Sequence, residues 1–146
     1  MFQSILATVA VWIALEALRL QNLLIAASLA ATAFTVFTMP SSVIASSRNV
    51  IGGHMIGLTF GLALALVPHN AGASQGIVYA LAVGSSMFVM TVTNTEHPPA
   101  AGTALGVVIA GCTLRVVLGV VIGIGILSIL HRVLKPLLRD LVAKDN

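Results

Sequence analysis

The sequence predicts an all-α polytopic membrane bundle of about five transmembrane helices, with two interrupted or re-entrant segments. Three observations carry this expectation. Of the 146 residues, 58% are hydrophobic and only 8% are charged, against roughly 25% charged in an average soluble protein. So few charges cannot build a water-facing shell, and lipid must cover most of the surface. The mean hydropathy is +1.08. Third, the apolar stretches are cut by two polar segments, around residues 40–49 and 93–99. A bilayer crossing needs about 20 apolar residues, so one transmembrane domain over residues 1–146 leaves room for roughly five spans, with a short tail from about 135.

The first apolar stretch, Phe2 to Leu18, lacks the basic start and small-residue cleavage site of a signal peptide and reads as a retained helix. Glu16 and Arg19 stand three apart on one helical face and are expected to pair near an interface. The second span, Leu23 to about Met39, stops at Pro40. The polar piece Pro40-Ser-Ser-Val-Ile-Ala-Ser-Ser-Arg-Asn49 follows, and a third span runs from about Val50 to Val67. The turn Pro68-His-Asn-Ala-Gly72 leads to a fourth span, Ser74 to Thr91.

The second break is Thr93-Asn-Thr-Glu-His-Pro-Pro99. Behind it lie only 11 residues, Ala100 to Ala110, too short to cross a ~30 Å core at about 1.5 Å per residue. This piece reads as a re-entrant half-helix or half of a broken span. Gly111-Cys-Thr-Leu-Arg115 introduces the last span, to about Leu134. A shift of 58 residues lays Pro40 on Pro98, Gly53 on Gly111 and Gly61 on Gly119. That suggests a weak parallel internal repeat, and paired interrupted segments point to a binding site in transporters.

Charge placement gives orientation. Of the eleven Asp, Glu, Lys and Arg residues, five lie beyond Leu134: Lys135, Arg139, Asp140, Lys144 and Asp145. With Arg132 they form a cationic tail of the kind found at the cytoplasmic end of a last helix. A nucleic-acid partner is not expected, because that would need basic residues spread over a folded surface. The reading is a multi-pass protein of the cell (plasma or inner) membrane with its C-terminus in the cytoplasm. Arg19 falls on the same side, the two breaks open to the other side, and the termini lie on opposite sides.

Gly53, Gly57 and Gly61 recur every four residues and line one helical face. Lipid gives helices no hydrophobic reason to associate, so such a face serves close packing within or between protomers. A homo-oligomer is expected. The single Cys112 has no intrachain disulfide partner and reads as a small helix residue.

Irregular backbone survives at membrane depth only where protein buries it or water reaches it. Asn94 or Thr95 is expected to cap the piece after His97, with Pro98 and Pro99 in its first turn. Helix starts carry free N–H groups and partial positive charge, which attract small anions. Arg48 adds a full charge at the other helix start, with Glu96 as its expected partner, an anion as a compatible second role, and both able to hold together. Ser46, Ser47 and Asn49 join Asn94 and Thr95 as hydrogen-bond donors. His54, one turn into the third helix, is read with Glu96 as a gating or charge partner, and His97 as a titratable gate that with Glu96 orients the break or handles a co-transported proton, because histidine changes charge near neutral pH. No metal-ligand spacing joins His54, His69, His97 and Glu96. No nucleophile–base pair or carboxylate pair suggests an enzyme, and no cofactor is implied.

The string Glu96-His-Pro-Pro-Ala-Ala-Gly-Thr-Ala-Leu105 resembles the signature of the HPP family of small integral membrane proteins. Arg48-Asn-Val-Ile-Gly-Gly-His54 resembles that family's second hallmark, and the resemblance spans roughly Leu23 to Leu134. The family usually has Gln-Pro where this chain has Ser46-Ser47, and Gly-Gly-Ala where it has Ala100-Ala101-Gly102. Some members are linked to nitrite transport and others carry regulatory domains. The resemblance therefore implies a transporter or channel for a small monovalent anion, most readily nitrite. The alternatives are a cation or metal transporter using Glu96, His97 and His54, and a non-transporting structural membrane subunit.

Overall fold

Each apolar stretch is a helix in the computed structural model, which describes residues 2–18, 22–69 and 73–141. Arg19, and with it the expected pair to Glu16, lies outside the described residues. So do the end of the turn at 70–72 and the tail residues Lys144 and Asp145. Six helices follow one another: α1 Phe2–Leu18, α2 Leu23–Thr38, α3 Ser47–Ala65, α4 Ala73–Val92, α5 Pro98–Ala110 and α6 Leu114–Leu134. Short 3-10 turns occupy Val43–Ala45 and Lys135–Leu137, and no strand occurs among the described residues.

Side-chain caps set several helix starts. The Asn22 side chain accepts from the Leu24 and Ile25 amides at the head of α2. Thr113 accepts from Val116 to start α6. Ser46 accepts from the Asn49 amide, so α3 begins at Ser47, three residues before the expected start. Arg48 and Asn49 thereby belong to the first turn of α3 and not to the loop before it. The cap expected from Asn94 or Thr95 does not form. His97 holds the N-cap position of α5, and its side chain makes no capping bond to the helix amides.

Many large outward-facing side chains are apolar, with Trp12 64%, Phe88 69% and Leu114 73% exposed. That is how a helix bundle solvated by lipid distributes its residues. Ser74–Val92 and Leu114–Leu137 are long and apolar enough to cross a bilayer by themselves. α1 and α2 have 17 and 16 residues and reach only about 25 Å at 1.5 Å per residue.

The short helix α5 sits inside, packed against α2, α3 and α4, with its deepest contact along α3. The pairing of α3 and α5 is parallel: Gly53 faces His97, Gly57 faces Ala100, and Gly61 faces Val107. A Cβ on Gly57 would collide with the Ala100 carbonyl, and one on Gly61 would stand 2.7 Å from the Val107 Cβ. The Gly53-Gly57-Gly61 face therefore packs within one protomer. Against α2 the short helix runs antiparallel, from His97 beside Thr32 to Gly106 beside Ile25. Its start thus lies at mid-depth of α2, so the second break enters the bundle.

The ends of the chain depart from expectation. Gln3 Nε2, at the start of α1, donates to the Phe37 carbonyl at 2.6 Å and to the Arg139 carbonyl at 2.7 Å. The Leu141 amide donates to Thr38, and the Ser41 amide to the Asp140 carboxylate. The start of α1, the end of α2, the first break and the segment after α6 therefore meet at one end of the bundle. The described ends of the chain thus lie at the same end of the bundle, against the expectation of opposite sides, and the first break opens at that end too. The reason is α5: although only 13 residues long, it carries the chain back toward the end where α4 began. α6 then returns. The 58-residue offset likewise relates two helix–break–helix units without relating equivalent positions. Gly53 is buried against α5, while Gly111, at φ 83°, makes the turn after it.

Candidate functional site

The two polar breaks come together, and backbone carbonyls do most of the joining. Arg48 is exposed, and its Nη2 donates to the Thr93 carbonyl at 3.0 Å. Asn49 is buried, and its Nδ2 donates to the Glu96 carbonyl at 3.0 Å. Ser46 Oγ donates in turn to Asn49 Oδ1 at 2.9 Å. The first turn of α3 is thereby stitched to the strand of backbone between α4 and α5.

The expected Arg48–Glu96 ion pair is not made. Arg48 reaches the end of α4, whereas Glu96 is half-buried beside Met87, Met90 and Pro98 on the rim of a cavity of about 360 Å³. The lining of that cavity is chiefly apolar.

Asn94, at φ 51°, turns the chain out of α4, a conformation that asparagine tolerates better than most residues. It is exposed, as are Ser47 and Pro98, while Pro99 is half-buried. Thr95 is buried against Gly52, and its hydroxyl bonds Thr93 at 2.7 Å. The start of α5 offers little to an anion in the way of N–H groups. Pro98 and Pro99 have none, and the Ala100 amide is bonded to the His97 carbonyl at 2.8 Å. The more open helix start is that of α3, where Ser47 and Arg48 are exposed.

Behind the breaks lies a chain of buried polar groups. His97 is 1% exposed, and its Nδ1 meets the Ile44 carbonyl at 2.8 Å. Its Nε2 lies 3.1 Å from Thr32 Oγ1, and His54 Nε2 approaches the same oxygen to 2.8 Å. His54 Nδ1 continues to Thr103 Oγ1 at 2.8 Å, Thr103 to Ser28 Oγ at 2.7 Å, and Ser28 to the Pro99 carbonyl at 2.7 Å. The imidazole centroids of His54 and His97 are 5.0 Å apart. Polar groups taken this deep are costly unless bonded, and all five side chains here are bonded.

The structure therefore brings His54 and His97 together, joins Asn49 to the Glu96 backbone, and leaves Arg48 at the outer edge. Ser28, Thr32 and Thr103 were not foreseen. Their one signal in the sequence is Ser28 and Thr32 at a spacing of four, which places both on one helical face of a span whose other polar side chains are Thr35 and Thr38. Among the described residues, no three of His, Cys, Asp and Glu gather as metal ligands.

Comparison with known proteins agrees with a membrane protein. The family described as HPP, transmembrane region, matches residues 1–139. Two Dictyostelium discoideum proteins, each described as a transmembrane protein, are similar. One is 37% identical over 90 residues, covering 62% of this chain and 32% of its own length. The other is 32% identical over 85 residues, covering 58% of this chain and 27% of its own length. The matches thus span about a third or less of those relatives. No solved structure matches the chain.

Proposed function

This chain belongs to the HPP family of integral membrane proteins, and from that premise we propose that it passes a small monovalent anion, nitrite foremost, across the membrane. The observation that carries this reading is Arg48. Its guanidinium is exposed at the first turn of α3, is held by the Thr93 carbonyl, and has no carboxylate partner among the described residues. A carbonyl positions a guanidinium without neutralising it, so a full positive charge stands where the two breaks meet.

Ser47, the exposed backbone at the head of α3 and the helix dipole add to that field. Ser46 and Asn49 are committed to each other and to Glu96, so their part is to hold the turn that aims Arg48. Asn94, Thr95, Pro98 and Pro99 shape the second break. Pro98 and Pro99 also leave its helix start without competing donors. Arg48, Arg132, Lys135 and Arg139 all sit toward the end where the tail lies. Under the positive-inside rule this end faces the cytoplasm in a plasma or inner membrane. The anion site then opens inward, and the close packing of α3 on α5 closes the path beyond it.

Flux of nitrite into liposomes carrying the purified protein tests the reading, with nitrate and chloride alongside. Arg48→Ala is expected to abolish nitrite flux and Arg48→Lys to keep part of it, since charge survives without the fork geometry. Because Arg48 is exposed and pairs only with a carbonyl, the variant is expected to stay folded. Undiminished flux in Arg48→Ala, with normal folding, rejects this site.

A further inference from the structure

The buried polar chain can be counted hydrogen by hydrogen, and the count does not close. Both ends are fixed. The Ile44 and Pro99 carbonyls only accept, so His97 Nδ1 and Ser28 Oγ must donate to them. With the Ser28 hydrogen so used, Thr103 must donate to Ser28, and His54 Nδ1 must donate to Thr103. Both neutral imidazoles are then Nδ1–H tautomers. Each turns a bare Nε2 lone pair toward the Thr32 hydroxyl, which has one hydrogen to give. The Ser28 carbonyl, 3.0 Å away, competes for that same hydrogen. Six links join the two carbonyls, and the neutral groups supply five hydrogens.

We propose that His54, Thr32 and His97 form a binding site for one proton, shared between the two rings through the Thr32 hydroxyl and taken up together with the transported anion. One added proton completes every link. If it resides on His97 Nε2, that nitrogen donates to Thr32 and Thr32 donates to His54. If it resides on His54 Nε2, both bonds reverse. Moving between the two states breaks the N–H bond on one ring, passes the Thr32 hydrogen on, and forms an N–H bond on the other. No other link changes. A second proton would set two N–H groups against one hydroxyl and two cations at a centroid distance of 5.0 Å, so the site holds one.

The surroundings decide when the proton arrives. α2 and α5 present no ionisable side chain apart from the His97 cap, and α4 faces the rings with Met90. The charged groups at the site's mouth are Glu96, next to His97, and the exposed Arg48. The third described buried histidine, His131, belongs to α6. Apolar burial opposes a lone cation, so an anion at the mouth and a proton on the rings favour one another. The proton site rests on geometry alone, whereas its coupling rests on the transport reading above.

The test uses the full chain in lipid bilayers with ¹⁵N-labelled histidine, read by solid-state NMR. His54→Gln and His97→Gln assign the signals. At high pH both rings are expected as Nδ1–H tautomers. On acidification, one imidazolium equivalent is expected across the two, with a single common transition. In Thr32→Val the common transition is expected to vanish. Neutral rings throughout the range in which the fold holds, two independent protonations, or sharing that survives Thr32→Val each overturn the site.

A second measurement follows the pH inside liposomes during nitrite uptake, with protein-free liposomes subtracted. One proton per nitrite is expected, and the coupling is expected to be lost in Thr32→Val. A shared proton without any nitrite flux rejects the transport reading and leaves the proton site standing. Nitrite flux with no shared proton does the reverse.

Discussion

Two buried histidine regions in this bundle are treated in opposite ways. Between α2, α3 and α5, His54 and His97 are joined through the Thr32 hydroxyl, and their chain runs on through Thr103 and Ser28 and ends on two backbone carbonyls. On α6, Ser128 and His131 stand three residues apart and are 7% and 2% exposed, yet Ser128 Oγ and His131 Nε2 meet no hydrogen-bond partner among the described residues. The first region holds three helices in one register, because each donor needs its acceptor at a set distance. The second fixes no partner and carries the desolvation cost of a polar group without its return. Burial alone therefore does not separate the two regions, since all three histidines are buried. What sets His54 and His97 apart from His131 is a network reaching two polar breaks.

That contrast can be strained most severely at the packing that brings α3 to α5. Gly57→Leu is expected to prevent folding or to cost more than the roughly 1–3 kcal/mol usual for overpacking, because the obstacle is the Ala100 backbone and cannot turn aside. Yield and the thermal midpoint in detergent measure this, and an unchanged midpoint would show that α3 and α5 do not pack in close contact at Gly57.

The next effect compares the histidines directly. His54→Leu breaks two links and is expected to cost about 1–3 kcal/mol, whereas His131→Leu removes an unpartnered nitrogen and is expected to be close to neutral. Unfolding in mixed micelles, run side by side, gives the difference, and equal costs would erase the distinction. Smallest of all, Ser128→Ala is expected to change stability by less than about 1 kcal/mol in either direction. A large loss there would reveal a partner for Ser128 beyond the described residues.

Much of the fold was legible because its cause is local. The apolar stretches became helices, Pro40 marks the end of α2, and Pro98 and Pro99 begin α5. The parity of the bundle was not legible. By length, α5 looks too short to reverse the chain, and it does so only because its start lies at the depth of Thr32. That parity moved the first break to the tail's end. At the site, His54, His97 and Asn49 were identified, but their partners were not. Arg48 was expected to face a carboxylate, and the turn between α4 and α5 gives it a carbonyl.

The sequence by itself determined a lipid-solvated helical protein with two polar interruptions and a glycine stripe, because hydropathy, proline and spacing act along the chain. The tertiary structure decided what the stripe meets and which hydroxyls matter. In an apolar helix, Ser and Thr can bond the carbonyl four residues back, as Thr8, Thr35 and Thr59 do. Nothing in the sequence separates those from Ser28 and Thr103, whose oxygens face another helix. Only the close approach of α5, allowed by Gly57 and Gly61, puts two histidines and three hydroxyls within hydrogen-bond reach, and reach of that kind depends on distances between helices.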